Sequence, residues 1–175
     1  MKKLLALAAC AAAALTTLPT GAAQAENRAR SSDGSRVAAG WHQLANSYSR
    51  KCLTIDAQQN WDGGRVYLAN CDTDAAQRWY RGASGDRVVI TSAWSSRVLD
   101  AVLDNRNGSA VTGYRWLNWD HRPQNQQWRI TSSGEIKNAW NGRCLDANPG
   151  QKDWPEQQVY LWDCNGSQWQ RWFAV

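Results

Sequence analysis

Twelve tryptophans stand against one phenylalanine and one methionine in this 175-residue chain. Tryptophan joins a large flat apolar area to one N–H donor, so it suits a small core and equally suits stacking on a flat ligand. Two aspartates sit in matching contexts, Val98-Leu99-Asp100 and Cys144-Leu145-Asp146. They come one per repeat and far apart. A glycosidase would need two carboxylates held at a defined separation, one with a raised pKa. No Gly-x-Ser-x-Gly occurs, and neither histidine, His42 nor His121, has a Cys or Ser context that suggests a nucleophile–base pair. The chemistry on offer is therefore hydrogen bonding and stacking, not bond breaking, and the expectation is a non-enzyme.

The cysteines are the next chemical resource. Cys52, Cys71, Cys144 and Cys164 form an even set once Cys10 is set aside. No Cys-x-x-Cys pair occurs, so neither a zinc site nor any cofactor is expected. An even count in an exported chain favours disulfides. The two obvious pairings, Cys52–Cys71 and Cys144–Cys164, span 19 and 20 residues. Closing loops of that size stabilises a fold by roughly 3 kcal/mol each in the chain-entropy model.

Export is read from the N-terminus. Lys2 and Lys3 precede an Ala/Leu-rich run from Leu4 to Leu18, then Pro19, Gly21 and the small-x-small triplet Ala23-Gln24-Ala25. This predicts a signal peptide over 1–25, cleavage after Ala25 and a secreted chain without membrane insertion, because the run is short for a span. Leu7-Ala8-Ala9-Cys10 also resembles a bacterial lipoprotein box, but it leaves only six apolar residues ahead of the cysteine. Beyond Ala25, 18 basic residues face 15 acidic ones, and the basic ones are scattered. That pattern is an ordinary solvated surface, not a nucleic-acid footprint. Residues 26–39, rich in Asn, Arg, Ser and Gly, read as a flexible leader.

The elements that would position these groups repeat three times. Gln-x-Trp occurs at Gln77-Arg78-Trp79, Gln126-Gln127-Trp128 and Gln170-Arg171-Trp172, with tryptophans 49 and 44 residues apart. Val98 lies 46 residues from Cys52 and 46 from Cys144, and Val98 to Trp116 spans 18 residues. An apolar pair thus stands in the second repeat where the others carry cysteines. An excess of four residues between Trp116 and Gln126 reads as a loop insertion around 117–123. Short β-rich runs such as Arg87–Thr91 and Gln158–Trp162 alternate with Gly, Asn, Asp and Ser clusters, the signature of an all-β domain. Repeats are expected at about 40–84, 85–131 and 132–175, within one domain over 40–175.

Cys-Leu-Asp, Val-x-Leu-aromatic-x-Cys and Gln-x-Trp, in register over three repeats, resemble the ricin B-type lectin domain, shared with family 13 carbohydrate-binding modules. The resemblance covers about residues 40–175. It implies a β-trefoil: twelve strands in three four-stranded units about a pseudo-threefold axis, six closing a barrel and six capping it. It also implies a glycan or polysaccharide partner, galactose-type or xylan-type, bound by a monomer.

A pyranose presents rim hydroxyls and C–H faces. A carboxylate accepts from adjacent hydroxyls, an amide both donates and accepts, and an aromatic ring covers the C–H face. In the resembled family the Asp follows Cys-Leu, the aromatic stands two before the second cysteine, an Asn precedes the Gln of Gln-x-Trp, and that Gln supports the Asp. The second repeat fills all four positions with Asp100, Tyr114, Asn125 and Gln126, and Trp119 on the inserted loop offers a substitute for Tyr114. The third repeat offers Asp146, Trp162 and Gln170. Trp169 stands in the Asn position there, and Asn165 is the candidate to supply the amide. The first repeat has Thr54, Ala69 and Ala76 instead. Asp56 and Trp61 are its only recourse, so it reads as structural. Trp79, Trp128 and Trp172 are assigned to the core. Trp94 and Trp140 each precede the apolar-Leu pair by four residues and are equivalent to each other. A trefoil that binds protein, as an inhibitor or a toxin-associated subunit, is the competing reading.

Overall fold

Each Gln-x-Trp tryptophan ends in the same contact. In the computed structural model, which describes residues 40–84, 86–117 and 123–175, Trp79, Trp128 and Trp172 are buried in one core. Their indole N–H groups donate to Leu53 O (2.8 Å), Leu99 O (3.0 Å) and Leu145 O (3.0 Å). A buried indole needs such a partner, and here the partner is the leucine that precedes Thr54, Asp100 or Asp146. The expected signal peptide, the leader, Cys10 and Trp119 lie outside the described residues.

The strands are β1 (Trp41–His42), β2 (Leu44–Asn46), β3 (Cys52–Ile55), β4 (Gly64–Ala69), β5 (Trp79–Ser84), β6 (Arg87–Ser92), β7 (Val98–Ala101), β8 (Ser109–Tyr114), β9 (Trp128–Ile130), β10 (Ile136–Asn138), β11 (Cys144–Ala147), β12 (Gln157–Trp162) and β13 (Trp172–Ala174). One set closes a barrel: β1 pairs with β5, β5 with β6, β6 with β9, β9 with β10, and β13 with β2, while a Glu135–Arg171 bridge completes the ring. The hairpins β3–β4, β7–β8 and β11–β12 form the cap, joined cyclically by β4–β8, β8–β12 and β12–β4 pairing. This is the all-β trefoil that the resemblance implies. Its first barrel strand is split into β1 and β2 at Gln43, whose side-chain amide turns to Gln77 Oε1 (3.0 Å) and Asp72 O. Among the described residues no helix is long and apolar enough to cross a membrane.

Register ties the repeats together. Cys52 faces Ala69, Val98 faces Tyr114, and Cys144 faces Trp162. Cys52–Cys71 and Cys144–Cys164 are disulfides, and buried Val98 holds the equivalent place in the second repeat. The residue before each of these positions is basic, and each reaches back to the cap loop of the preceding repeat. Arg97 donates to Asn60 Oδ1 (3.2 Å) and Asn60 O (3.0 Å) and pairs with Asp62. Arg143 donates to Asn107 Oδ1 (2.5 Å) and pairs with Asp163. Lys51, itself buried, donates to Lys152 O (2.7 Å) and Trp154 O. A ring of three cationic clasps therefore closes the cap.

The symmetry breaks in the core by exchange of bulk. Leu68 and Leu161 have Gly113 as their counterpart, while Ala101 and Ala147 have Ile55 as theirs. The two exceptions meet: a Cβ on Gly113 would lie 2.5 Å from Ile55 Cδ1. Filling Gly113 to leucine should overpack the cap and cost about 1–3 kcal/mol. Ile55→Ala should cost about 2–5 kcal/mol through its cavity. The double variant should lose at least 1 kcal/mol less than the sum, as read by urea denaturation, because each change makes room for the other. Strict additivity would show that the two positions do not share one space.

Candidate functional site

Asp100 is carried on β7 and points to the outer face of the cap, directly opposite Thr112 on β8. Tyr114, two residues along β8, shares that face, within diagonal reach of Asp100. The 3₁₀ turn Gln124–Gln126 then brings two amides back to the carboxylate. Asn125 Nδ2 donates to Asp100 Oδ2 (3.1 Å) and to Ala101 O (3.1 Å). Gln126 Nε2 donates to the same Oδ2 (2.7 Å) and to Arg115 O (3.0 Å), while its Oε1 accepts from Leu117 N (3.0 Å). The four sequence-predicted residues of the second repeat thus occupy one neighbourhood.

The third repeat repeats half of this arrangement. Asp146 on β11 faces Tyr160 on β12, with Trp162 on the same outer face. Gln170 Nε2 donates to Asp146 Oδ2 (2.7 Å) and Asp163 O (3.0 Å), and its Oε1 accepts from Asn165 N (2.8 Å). Trp169, in the place of Asn125, turns away and packs its ring on Tyr48. Asp146 Oδ2 therefore has one amide where Asp100 Oδ2 has two, and Asp146 Oδ1 is shielded from solvent with no hydrogen-bond partner among the described residues. Asn165 is exposed and uses its side-chain oxygen on Ser167 N (2.9 Å), so it serves the turn after the disulfide. Two participants are missing from the sequence reading. Tyr160 packs on Trp162, ring centroids 5.6 Å apart, and the only sequence signal for it is the i, i+2 spacing to Trp162. Tyr48 is the first-repeat counterpart of Trp94 and Trp140, four residues before Cys52.

The first repeat keeps the clamp without the carboxylate. Gln77 Nε2 donates to Asn70 O (2.8 Å) and its Oε1 accepts from Asp72 N (2.9 Å), as the other two glutamines do at equivalent backbone atoms. Thr54 turns its hydroxyl onto Cys52 O (2.9 Å). Asp56 Oδ1 caps the next turn at Gln58 N (2.9 Å). Trp61 is exposed on the loop that follows.

Burial dominates the electrostatics. It pushes the Asp100 carboxyl up to about 6, against the opposing pull of the Gln126 and Asn125 amides, with Asp62 adding a smaller push upward. Asp146 is raised for the same reason, moderated by Gln170. Tyr160 is raised to about 12 by burial and by the Asp146 charge. Titratable groups perturbed by burial and placed together on a surface are candidates for a functional site. For a metal, Glu135, Cys144 and Cys164 bring ligand-type atoms within 4.8 Å of one another, but both sulfurs are committed to a disulfide and offer no thiolate.

Comparison with known proteins follows the same lines. The model of the ricin-type beta-trefoil lectin domain matches residues 40–172. No curated protein matches the sequence. Among solved structures, the designed threefold-symmetric protein ThreeFoil is similar at 21% identity and a TM-score of 0.70, over 77% of this chain and 97% of its own. The exo-β-1,3-galactanase of Clostridium thermocellum is similar at 20% identity and 0.67, over 77% of this chain but only 30% of that enzyme. The C-half of an earthworm R-type lectin, solved with GalNAc, is similar at 17% identity and 0.62, over 77% of this chain and 96% of its own. These likenesses are of fold, and a fold carries many functions. The family match spans every strand of barrel and cap up to Trp172, and with it the chain belongs to the ricin-type β-trefoil lectins, a family of carbohydrate-binding domains.

Proposed function

We propose that the protein is a secreted, non-catalytic lectin. It acts as a monomer without cofactor and binds galactose-type or xylan-type glycans at pockets in the second and third repeats. Asp100, Tyr114, Asn125 and Gln126 form one pocket. Asp146, Trp162 and Gln170 form the other, with Asn165 at its edge. The observation that carries the reading is the same in both repeats: a carboxylate held at Oδ2 by the Gln126 or Gln170 amide, on the cap face that also carries Tyr114 or Trp162. A carboxylate so placed accepts from adjacent sugar hydroxyls, and the ring beside it covers a C–H face. The ligand named with the earthworm lectin, GalNAc, and the action of the galactanase favour the galactose-type arm. Two disulfides suit an oxidising compartment.

Calorimetric titration with galactose and with xylose should give two sugars per chain. Asp100→Ala combined with Asp146→Ala should abolish binding while the thermal midpoint stays within a few degrees of wild type. Wild-type affinity in the double variant would sink the site assignment. A glycan array without any signal would favour the protein-binding reading instead. Two weak sites on one rigid body should also bind a polymer more tightly than either alone.

Asp100 gives the reading a pH dependence. Its carboxyl is held well above the ordinary value of 3.8, so the folded chain binds the proton more tightly than the unfolded chain does. Stability from this group is present below about 4 and is lost as pH rises through about 6. The ionised acceptor that a sugar needs behaves oppositely and is lost as pH falls through about 6. Asp100→Asn should therefore be more stable than wild type at pH 7.5, by an amount on the order of 1 kcal/mol, and the gap should close only below about pH 4. The same variant should lose the second-repeat site. A gap that stays constant with pH would assign the effect to packing.

A further inference from the structure

The outer face of β12 continues beyond the pocket. Trp162, Tyr160 and Gln158 alternate with the buried residues Leu161, Val159 and Gln157, so all three stand on the solvent side in one row. Tyr160 is in ring contact with Trp162. Gln158 lines a cleft of about 580 Å³ together with Arg65, Gln151, Trp154, Pro155 and Glu156. That volume lies within the range of small-molecule sites, about 300–1,000 Å³. From Trp162 to Gln158 is four residues, about 13 Å of strand, the span of about three linked sugar rings.

The cleft has the groups that a neutral sugar uses. Trp154 is 56% exposed and offers a stacking face. Arg65 Nη1 donates to Glu156 Oε2 (2.5 Å), and both side chains of this ion pair are about half-exposed, which leaves the other guanidinium N–H groups and the second carboxylate oxygen facing the cleft. A vicinal diol, in which each hydroxyl both donates and accepts, matches that pair. Two glutamine side chains border it, although Gln151 already accepts from Gln158 N (2.9 Å). The Trp154 loop is fixed before any ligand arrives. Lys51 holds the carbonyls of Lys152 and Trp154, Gln157 Nε2 holds Asn148 O (2.7 Å), and Asn148 Oδ1 caps Gly150 N (3.1 Å). Preorganisation of this kind spares binding the ordering cost of a mobile loop.

We infer that the third-repeat pocket extends along β12 into the cleft beside Trp154, so that this repeat holds a run of linked neutral sugars and not a single terminal one. The inference rests on the lectin reading of Asp146 and adds to it a chain-length requirement. In the extended site Trp162 stacks on the first ring, Tyr160 lies beneath the next, and Trp154 with the Arg65–Glu156 pair takes the far end. The neighbouring repeat contributes Arg65, so the groove crosses from the third repeat to the first.

The test uses the full chain with Asp100→Ala, which removes the second-repeat pocket, titrated with galactose and β-1,3-galactotetraose and with xylose and xylotetraose. At least one tetrasaccharide should bind about tenfold or more tightly than its monosaccharide. Trp154→Ala in the same background should erase that gain and leave the two affinities equal. Glu156→Gln, which keeps the shape of the loop, should reduce the gain by several fold. Equal affinity for monosaccharide and tetrasaccharide in the parent, or a gain that survives Trp154→Ala, would overturn the groove while leaving the pocket standing. If neither monosaccharide nor either tetrasaccharide binds, and Asp146→Ala changes nothing, the lectin reading of the third repeat fails and the groove fails with it.

Discussion

In each repeat one short turn does the work of joining two layers. The chain leaves the cap hairpin, makes a single 3₁₀ turn and re-enters the barrel, and within three residues it fixes both. The glutamine at the end of the turn bonds to backbone atoms on either side of the hairpin exit. The tryptophan two residues later enters the core and donates to the leucine carbonyl of the first cap strand. A buried amide and a buried indole without partners would each be costly, so the turn has one low-energy placement. The residue after that leucine is then held in direction as well as in place. In two repeats that residue is an aspartate, and the amide that anchors the turn is also the amide that holds its carboxylate.

This coupling explains how the repeats can differ without harm to the frame. In the first repeat the same glutamine completes its backbone bonds and accepts from Gln43 in addition. Thr54 satisfies itself on its own strand. The core shows the same tolerance: Ile55 fills the space at Gly113, and Val98 stands in the line of the cysteines. What the frame requires is the sum of volume and the count of satisfied polar groups, not identity at each position.

The sequence made the threefold plan legible because its markers are local. Gln-x-Trp, the apolar-Leu pair and the cysteine spacing each fix a register, and three registers in step determine which residues face which. Asp100, Asn125 and Gln126 are grouped by carrying the positions of the resembled family onto those registers. What could not be read is what depends on contacts between repeats. Lys51, Arg97 and Arg143 look like scattered surface charge, and only the cap geometry shows them as equivalent clasps onto the preceding repeat. Tyr160 looks like another strand residue until its register places it opposite Asp146. Trp169 occupies an amide position in the alignment, and its turn toward Tyr48 follows from packing that no spacing encodes.

The carboxylates mark where the frame and the site have opposed interests. Folding gains nothing from burying Asp100 or Asp146: burial raises both, and at neutral pH the folded state carries the cost of keeping them ionised. Asp100 recovers part of that cost through two amides on one oxygen. Asp146 has one amide on Oδ2, and its Oδ1 is shielded from solvent without a partner among the described residues. The third-repeat carboxylate is thus the less satisfied of the two. The same repeat has the more exposed aromatic, Trp162, and opens along β12 toward Trp154. Asp146, Tyr160 and Trp162 therefore share one outer face of the cap, with the carboxylate fixed at Oδ2 and the two rings in contact. The first repeat has no such carboxylate, and its Gln77 and Thr54 bond to backbone atoms of their own repeat.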